Sequence, residues 1–281
     1  MNSMAANPPA ALEFALQVEH CYAGLILAAA SGPDAEPSLG GKLLYAGPLN
    51  AQASALLVAA NIAGAASLAI SAEPAAGKQA IRDGVVDFLV TSLDEALRIL
   101  KNEIRKRTTV AVCVALEHYA PEADFARQLL QRGVLPDLLP PLCAPAPEFA
   151  AFLHQGARPV VAIHPDLSQV LLSWSVAEAP VLWLPKLDAL AFDCLIENMS
   201  APGPSHLGTW DSAHRWLRLA PRYLGRRSQG MRLLRCDECT AARFRKKVQE
   251  QVEGGEISVA VEIHTRSGEQ FQISQFAPLT R

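Results

Sequence analysis

Residues 44–54 read LYAGPLNAQAS. The apolar run Lys42-Leu43-Leu44-Tyr45-Ala46 leads into Gly47, and an Ala-rich stretch at helical spacing follows. Strand, turn and helix in that order can seat a dinucleotide's pyrophosphate on the amino end of the helix. The chemistry asks for glycines, because only a bare backbone lets the phosphates come close. This turn has Gly47 alone, followed by Pro48, Leu49, Asn50, Ala51 and Gln52. Asn50, Ala51 and Gln52 still offer backbone N–H groups and amide donors. The competing reading is an ordinary strand–helix turn that binds nothing. Glu73, with Ser71 beside it, closes the next apolar run. An acid roughly 20 residues past the turn would accept hydrogen bonds from ribose hydroxyls; a solvated loop carboxylate before Pro74 explains it as well. Gly47, Asn50, Ala51, Gln52, Ser71 and Glu73 are therefore the candidate cofactor contacts.

Other candidates are weaker. Cys236-x-x-Cys239 is half of a zinc site, but no second CxxC or HxxxH accompanies it and structural zinc takes four ligands. His264 is a third candidate ligand, which still leaves the set short of four, and no metal is expected. The histidines show no HxH or HxxxH spacing, and His214 beside Trp216 suits packing. "HPDL", 164–167, follows an apolar run where ligand contacts gather in parallel sheets, though Asp166 is equally a helix N-cap. "EIRKR", 103–107, places cations at a helix end as the macrodipole prefers. "RYLGRRS", 222–228, is a small basic cluster read as surface. No residue is assigned a catalytic role.

These residues need a scaffold, and its elements are legible. A helical pattern covers 10–30 and a loop 31–41. Apolar runs at 42–46, 67–72, 86–91, 109–116, 135–139, 158–163 and 180–184 predict strands. Helical patterns fill 50–63, 93–106, 122–132, 147–155, 166–178 and 186–198. Strands apolar on both faces, separated by helices, predict an α/β fold: a Rossmann-like, doubly wound, mostly parallel sheet with helices on both faces. "ENMSAPGPSHLGTW", 197–210, is the clearest break. Beyond it lie a helix with Pro221, a strand at 231–235, a helix at 239–252 and strands at 256–264 and 270–274. The expected organisation is an N-terminal helical segment and loop over 1–38, the Rossmann-like domain over 39–200, and 201–281 continuing it as a C-terminal α/β portion. No internal repeat is evident.

Bulk composition narrows the function. Half of the 281 residues are hydrophobic and only 19% charged, which supports a packed aliphatic core. A net charge of −3 leaves no footprint for nucleic acid. No apolar run approaches the ~18 residues of a membrane span, and 1–12 lacks a secretory pattern. The six cysteines are scattered, several within apolar segments, which suits reduced core thiols. The expected location is the cytoplasm.

Two blocks of sequence resemble urocanase (urocanate hydratase). "LGGKLLYAG", "AANIAGAASLAI" with "AEP", "LDEAL" and "LLQRGVLPDLLP", within 39–140, look like its nicotinamide-dinucleotide domain. "AHRWLRLAPRYLGRRSQGMRLL" and "ARFRKKVQEQVEGGEISVAVEI" extend the likeness to about residue 268, with 141–208 matching loosely. The resemblance implies NAD as a tightly bound electrophile in the hydration of urocanate, and a homodimer. It also implies that the core carrying the family's catalytic cysteine has no counterpart here, so none of the six cysteines inherits that role. The family keeps a run of glycines in the phosphate loop; aligning through "AANIAGAA" leaves Gly47 alone. NAD is the implied cofactor, with weak or absent binding expected. Two functions stay open: a degenerate structural, regulatory or partner-binding module without hydratase activity, or a nucleotide-binding subunit of a urocanase-like lyase completed by a separate chain.

Overall fold

Runs of valine, alanine and leucine without polar alternation form strands buried on both faces. The computed structural model describes residues 8–30, 38–116, 122–141, 147–160, 169–198, 207–225, 229–267 and 270–278. The chain divides into two compact units, Glu13–Ile163 and a second made of Met1–Leu12 with His164–Arg281. The elements run α1 (Pro8–Ala30), β1 (Leu43–Pro48), α2 (Ala51–Ala63), β2 (Ala66–Ser71), α3 (Pro74–Arg82), β3 (Phe88–Val90) and α4 (Leu93–Lys106). Next come β4 (Val110–Ala115), α5 (Glu122–Gln131), β5 (Leu138–Leu139), α6 (Pro147–His154) and β6 (Arg158–Pro159).

These six strands form one parallel sheet in the order β3-β4-β2-β1-β5-β6. From β1 the chain builds outward through β2 and β4 on one side, then returns to place β5 and β6 on the other. That is the doubly wound, Rossmann-like plan, with β3 added at one edge. One face of the sheet packs Tyr45, Leu68 and Val112 against Leu100 of α4, Phe125 of α5 and Phe152 of α6. Ala69 and Cys113 are as fully buried from the alternate positions. Helix α2, buried over most of its length, meets β1, β2 and β4.

Two aspartates fasten this sheet at the amino ends of its strands. Leu43 N–H donates to Asp137 Oδ2 at 2.8 Å, while Asp137 N–H donates to the Leu43 carbonyl at 2.9 Å. Asp87 repeats the arrangement on Ala111, at 2.7 and 2.8 Å. Both follow a helix that ends on a left-handed glycine, Gly84 (φ 70°) and Gly133 (φ 65°), and then a valine whose N–H reaches back to the last turn. The passages Gly84-Val85-Val86-Asp87 and Gly133-Val134-Leu135-Pro136-Asp137 are one local device used twice, too short to register as an internal repeat.

The second unit departs from the expected single sheet. It holds β7 (Gln169–Val176), α7 (Pro180–Asn198), α8 (Leu207–Leu224), β8 (Met231–Asp237), α9 (Glu238–Glu253), β9 (Val261–Ser267) and β10 (Gln270–Phe276). Its four strands form a separate antiparallel sheet, β10-β9-β7-β8. The helix expected at 166–178 is strand β7 over its described part, and the strand expected at 180–184 opens helix α7. Residues 169–176 alternate strictly in burial, a period of two that leucines at mixed spacing disguised. Pro180 supplies a first helical position rather than a strand start. Strand β9 begins at Val261, five residues later than expected. The expected strand at 158–163 is described only as β6, its last three residues lying outside the described residues.

Replacing Asp87 or Asp137 by alanine should destabilise the chain by about 1.5–3 kcal/mol each, the usual worth of a hydrogen bond to a charged group. Both side chains are partly exposed, so the low end is expected. Because β2 lies between the two clasped strands, the double variant should be additive to within ~0.5 kcal/mol. Urea unfolding followed by circular dichroism measures both quantities.

Candidate functional site

In an open parallel sheet, ligands settle beyond the carboxyl ends of the strands where the winding reverses. Here that place lies between β1 and β5, and Gly47–Gln52 forms its rim. The local geometry is specific. Between Tyr45 and Gly47 the register on β2 slips by one residue, leaving Ala46 bulged. Gly47 follows at φ 75°, a conformation that a side chain disfavours. Leu49 N–H then continues the ladder to the Ile70 carbonyl at 2.7 Å. Gly47 therefore answers to the bulge itself.

Asn50 caps α2. Its backbone is extended, and its Oδ1 accepts the Ala53 N–H at 2.8 Å. The Ser54 N–H and hydroxyl both donate to the Asn50 carbonyl, at 2.9 and 2.7 Å. One helix-end donor that an anion would use is thus satisfied from within. Ala51 and Gln52 are exposed on the first turn, and their N–H groups have no protein partner among the described residues. Pro48, also exposed, has no N–H to give.

Glu73 leaves the sheet at the same end, because β1 and β2 are parallel and pair Pro48 with Ile70. It is the N-cap of α3, yet its carboxylate makes no cap and stands exposed. Ser71 is occupied: its hydroxyl donates to the Glu73 carbonyl at 2.8 Å and accepts the Glu73 N–H at 3.3 Å. The fold thus gathers Gly47, Asn50, Ala51, Gln52, Ser71 and Glu73 on one end of the sheet. Of these, the Glu73 carboxylate and the Ala51 and Gln52 N–H groups are open to a ligand.

The remaining candidates disperse. Cys236 is buried at the end of β8, whereas Cys239 is exposed on the first turn of α9. His264 lies on β9, separated from β8 by β7, and its Nε2 meets Glu262 Oε1 at 2.7 Å. No three potential ligands gather for a metal ion among the described residues. Burial pushes the Cys21 thiol up to about 11, with Glu19 adding to it, and the Cys113 thiol up to about 12. Cys194 and Cys236 are raised by burial as well, so these four are protonated at neutral pH and poor nucleophiles. The His214 ring packs on Phe192 at 4.6 Å between centroids. "HPDL" with His164 and Asp166, and the Arg226-Arg227-Ser228 end of the second basic cluster, lie outside the described residues. No described helix is long and apolar enough to cross a membrane.

A parallel sheet wound in both directions from β1, with a turn and an acid at its reversal point, defines a Rossmann-like α/β domain. Residues 23–146 match the family model described as the Urocanase Rossmann-like domain. The matched stretch begins inside α1, ahead of the first resembling block, and takes in that block through β5. The second block, in the other unit, lies beyond it.

The cap and the bulge have separate energetic signatures. Asn50→Ala should cost about 1 kcal/mol, the typical worth of an N-cap, and Asn50→Asp should retain most of it. Gly47→Ala should cost about 1–2 kcal/mol through its left-handed backbone. Thermal unfolding of the three variants measures each effect.

Proposed function

We propose that the chain is a urocanase-type Rossmann-like module whose dinucleotide crevice no longer holds NAD tightly and which does not itself hydrate urocanate. The urocanase family uses NAD, so the question is whether these residues fit the cofactor. The observation that carries the proposal is the Asn50 cap. A pyrophosphate at this helix end would have to displace Oδ1 from the Ala53 N–H, trading one hydrogen bond for another. The side chains of Leu49, Asn50 and Ala51 hold the backbone away from a phosphate, and Pro48 has no donor. Attraction to a helix end contributes only ~0.3–1 kcal/mol when exposed and up to ~2 when partly buried. That does not replace the missing contacts. The module's role is then structural, regulatory or partner-binding.

Glu73 supports the other reading, a nucleotide-binding subunit completed by a separate chain, because its carboxylate remains open where a ribose would lie. Calorimetry separates the two. Binding of NAD no tighter than about 1 mM, near −4 kcal/mol, is expected, with no loss of urocanate absorbance when NAD is supplied. Recovery of binding in Asn50→Gly with Ala51→Gly would tie the defect to the loop. Micromolar NAD binding abolished by Glu73→Ala would establish the second reading instead.

Self-association is part of the same proposal. The family is dimeric, and Val181 and Leu182 at the start of α7 are 89% and 55% exposed, an unusual place for aliphatic side chains. Sedimentation velocity at micromolar concentration should give a species near twice the 30.1 kDa chain mass. A single species at the chain mass would refute it.

A further inference from the structure

Among the described residues, the two sheets end on four edge strands: β3 and β6 in one, β8 and β10 in the other. An edge presents backbone N–H and C=O groups with which another chain can pair, and folds ordinarily blunt it. Three of these edges are blunted. β3 is three residues long and β6 only two, and Pro159 in β6 has no N–H to give. β8 carries Arg232, Arg235 and Asp237, and α8 packs on it, the Trp216 Nε1–H donating to the Leu233 carbonyl. β10 has none of these devices. Its seven residues, QFQISQF, hold no proline and no charge; Glu269 and Arg281 are the nearest charges in sequence.

The edge is also regular. β10 pairs with β9 residue for residue from Gln270 to Phe276, with no bulge to twist it away. Alternate residues of an antiparallel strand turn both backbone groups away from their partner. Among the described residues, no other element makes a backbone hydrogen bond to β10. Gln272 Oε1 accepts from Arg245 of α9, which places Gln272 on the helix-covered face. Ile273 and Gln275 therefore belong to the other face. Ile273, at the middle of the strand, is 53% exposed. The residues around it match themselves in reverse. An antiparallel copy centred on Ile273 sets Ile273 against Ile273 and Gln272 against Ser274, and no like charges meet within the strand pair. A two-fold axis asks for such self-matching, because one patch serves both partners.

We propose that two copies of the chain join edge to edge through β10, antiparallel about Ile273, so that two four-stranded sheets become one continuous sheet of eight strands. The inference rests on the self-association proposed above and names its surface. Backbone hydrogen bonds supply the attraction, and the Ile273 pair at the dyad fixes the register. A single strand pair falls below the ~1,200 Å² buried by most stable complexes, so the dimer dissociates in the micromolar range.

The test is sedimentation velocity of the full chain over a micromolar concentration series. A species near twice the 30.1 kDa chain mass should form as concentration rises. Ile273→Lys sets two ammonium groups against each other at the dyad. It should raise the dissociation constant at least about tenfold, with the circular dichroism of the dilute chain unchanged. Ile273→Val should keep the dimer. Register is read in a Cys239→Ser background, which removes the exposed thiol. A short bis-maleimide should cross-link Ile273→Cys chains but not Gln275→Cys chains, whose thiols would sit roughly 14 Å apart along the strand pair. A chain that stays at its own mass overturns the self-association reading and this inference together. A dimer that survives Ile273→Lys, or that cross-links as well through Gln275→Cys, overturns the inference alone.

Discussion

The first unit depends on how β5 is held to β1. The two strands share a single paired position, Leu44 with Leu138, because β5 is only two residues long. A parallel pair that short supplies little of its own ladder. The Asp137 carboxylate makes up the deficit by taking the Leu43 N–H, while the Asp137 N–H donates to the Leu43 carbonyl and the Asp137 carbonyl accepts the Arg158 N–H at the start of β6. One residue therefore joins three strand openings across the line where the winding reverses. Loosening it would disturb the crevice at the far end of β1. The ion pair with Lys42 adds little, since both groups are well exposed.

The two ends of this sheet are chemically opposed. At the carboxyl end the helix donors are partly satisfied by the protein, and the open group is a carboxylate, Glu73. At the amino end Lys42, Arg105, Arg107 and Arg158 lie near the carboxyl ends of α1 and α4. Fold alone does not settle where a ligand goes, because the charges and donors belong to the loops.

The second unit is organised by different forces. Alternate residues of β7 face its core, where Trp174 packs on Phe244 of α9 with ring centroids 4.9 Å apart. Asp188 of α7 meets Arg232 of β8 at 2.9 Å, both side chains largely removed from solvent. Burial raises the Asp188 carboxyl despite the pull of Arg232. Such a pair gives little net stability, but breaking it would strand a charge, so it fixes the placement of α7 on the sheet.

Sequence by itself determined the parallel α/β unit. Local pattern suffices there: strands buried on both faces are continuous apolar runs, and α2 and α4 carry their caps, Asn50 and Ser92, immediately ahead of them. It also brought Gly47, Asn50 and Glu73 to one end of the sheet, since parallel strands deliver their following loops to the same side. What only tertiary structure decided depends on partners distant in sequence. Residues 169–176 became a strand because β8 and β9 flank them; their own spacing of leucines read as helix. Asp87 and Asp137 fall inside the expected strands at 86–91 and 135–139, and only the folded sheet gives them their hydrogen bonds to Ala111 and Leu43. Arg105, Arg107, Lys42 and Arg158 are scattered along the chain, and only the closing of β1, β5 and β6 beside the end of α4 puts them around one cavity. Periodicity is a property of a segment and can be read in isolation. Charge convergence is a property of the folded whole, because electrostatic neighbours are set by space and not by sequence.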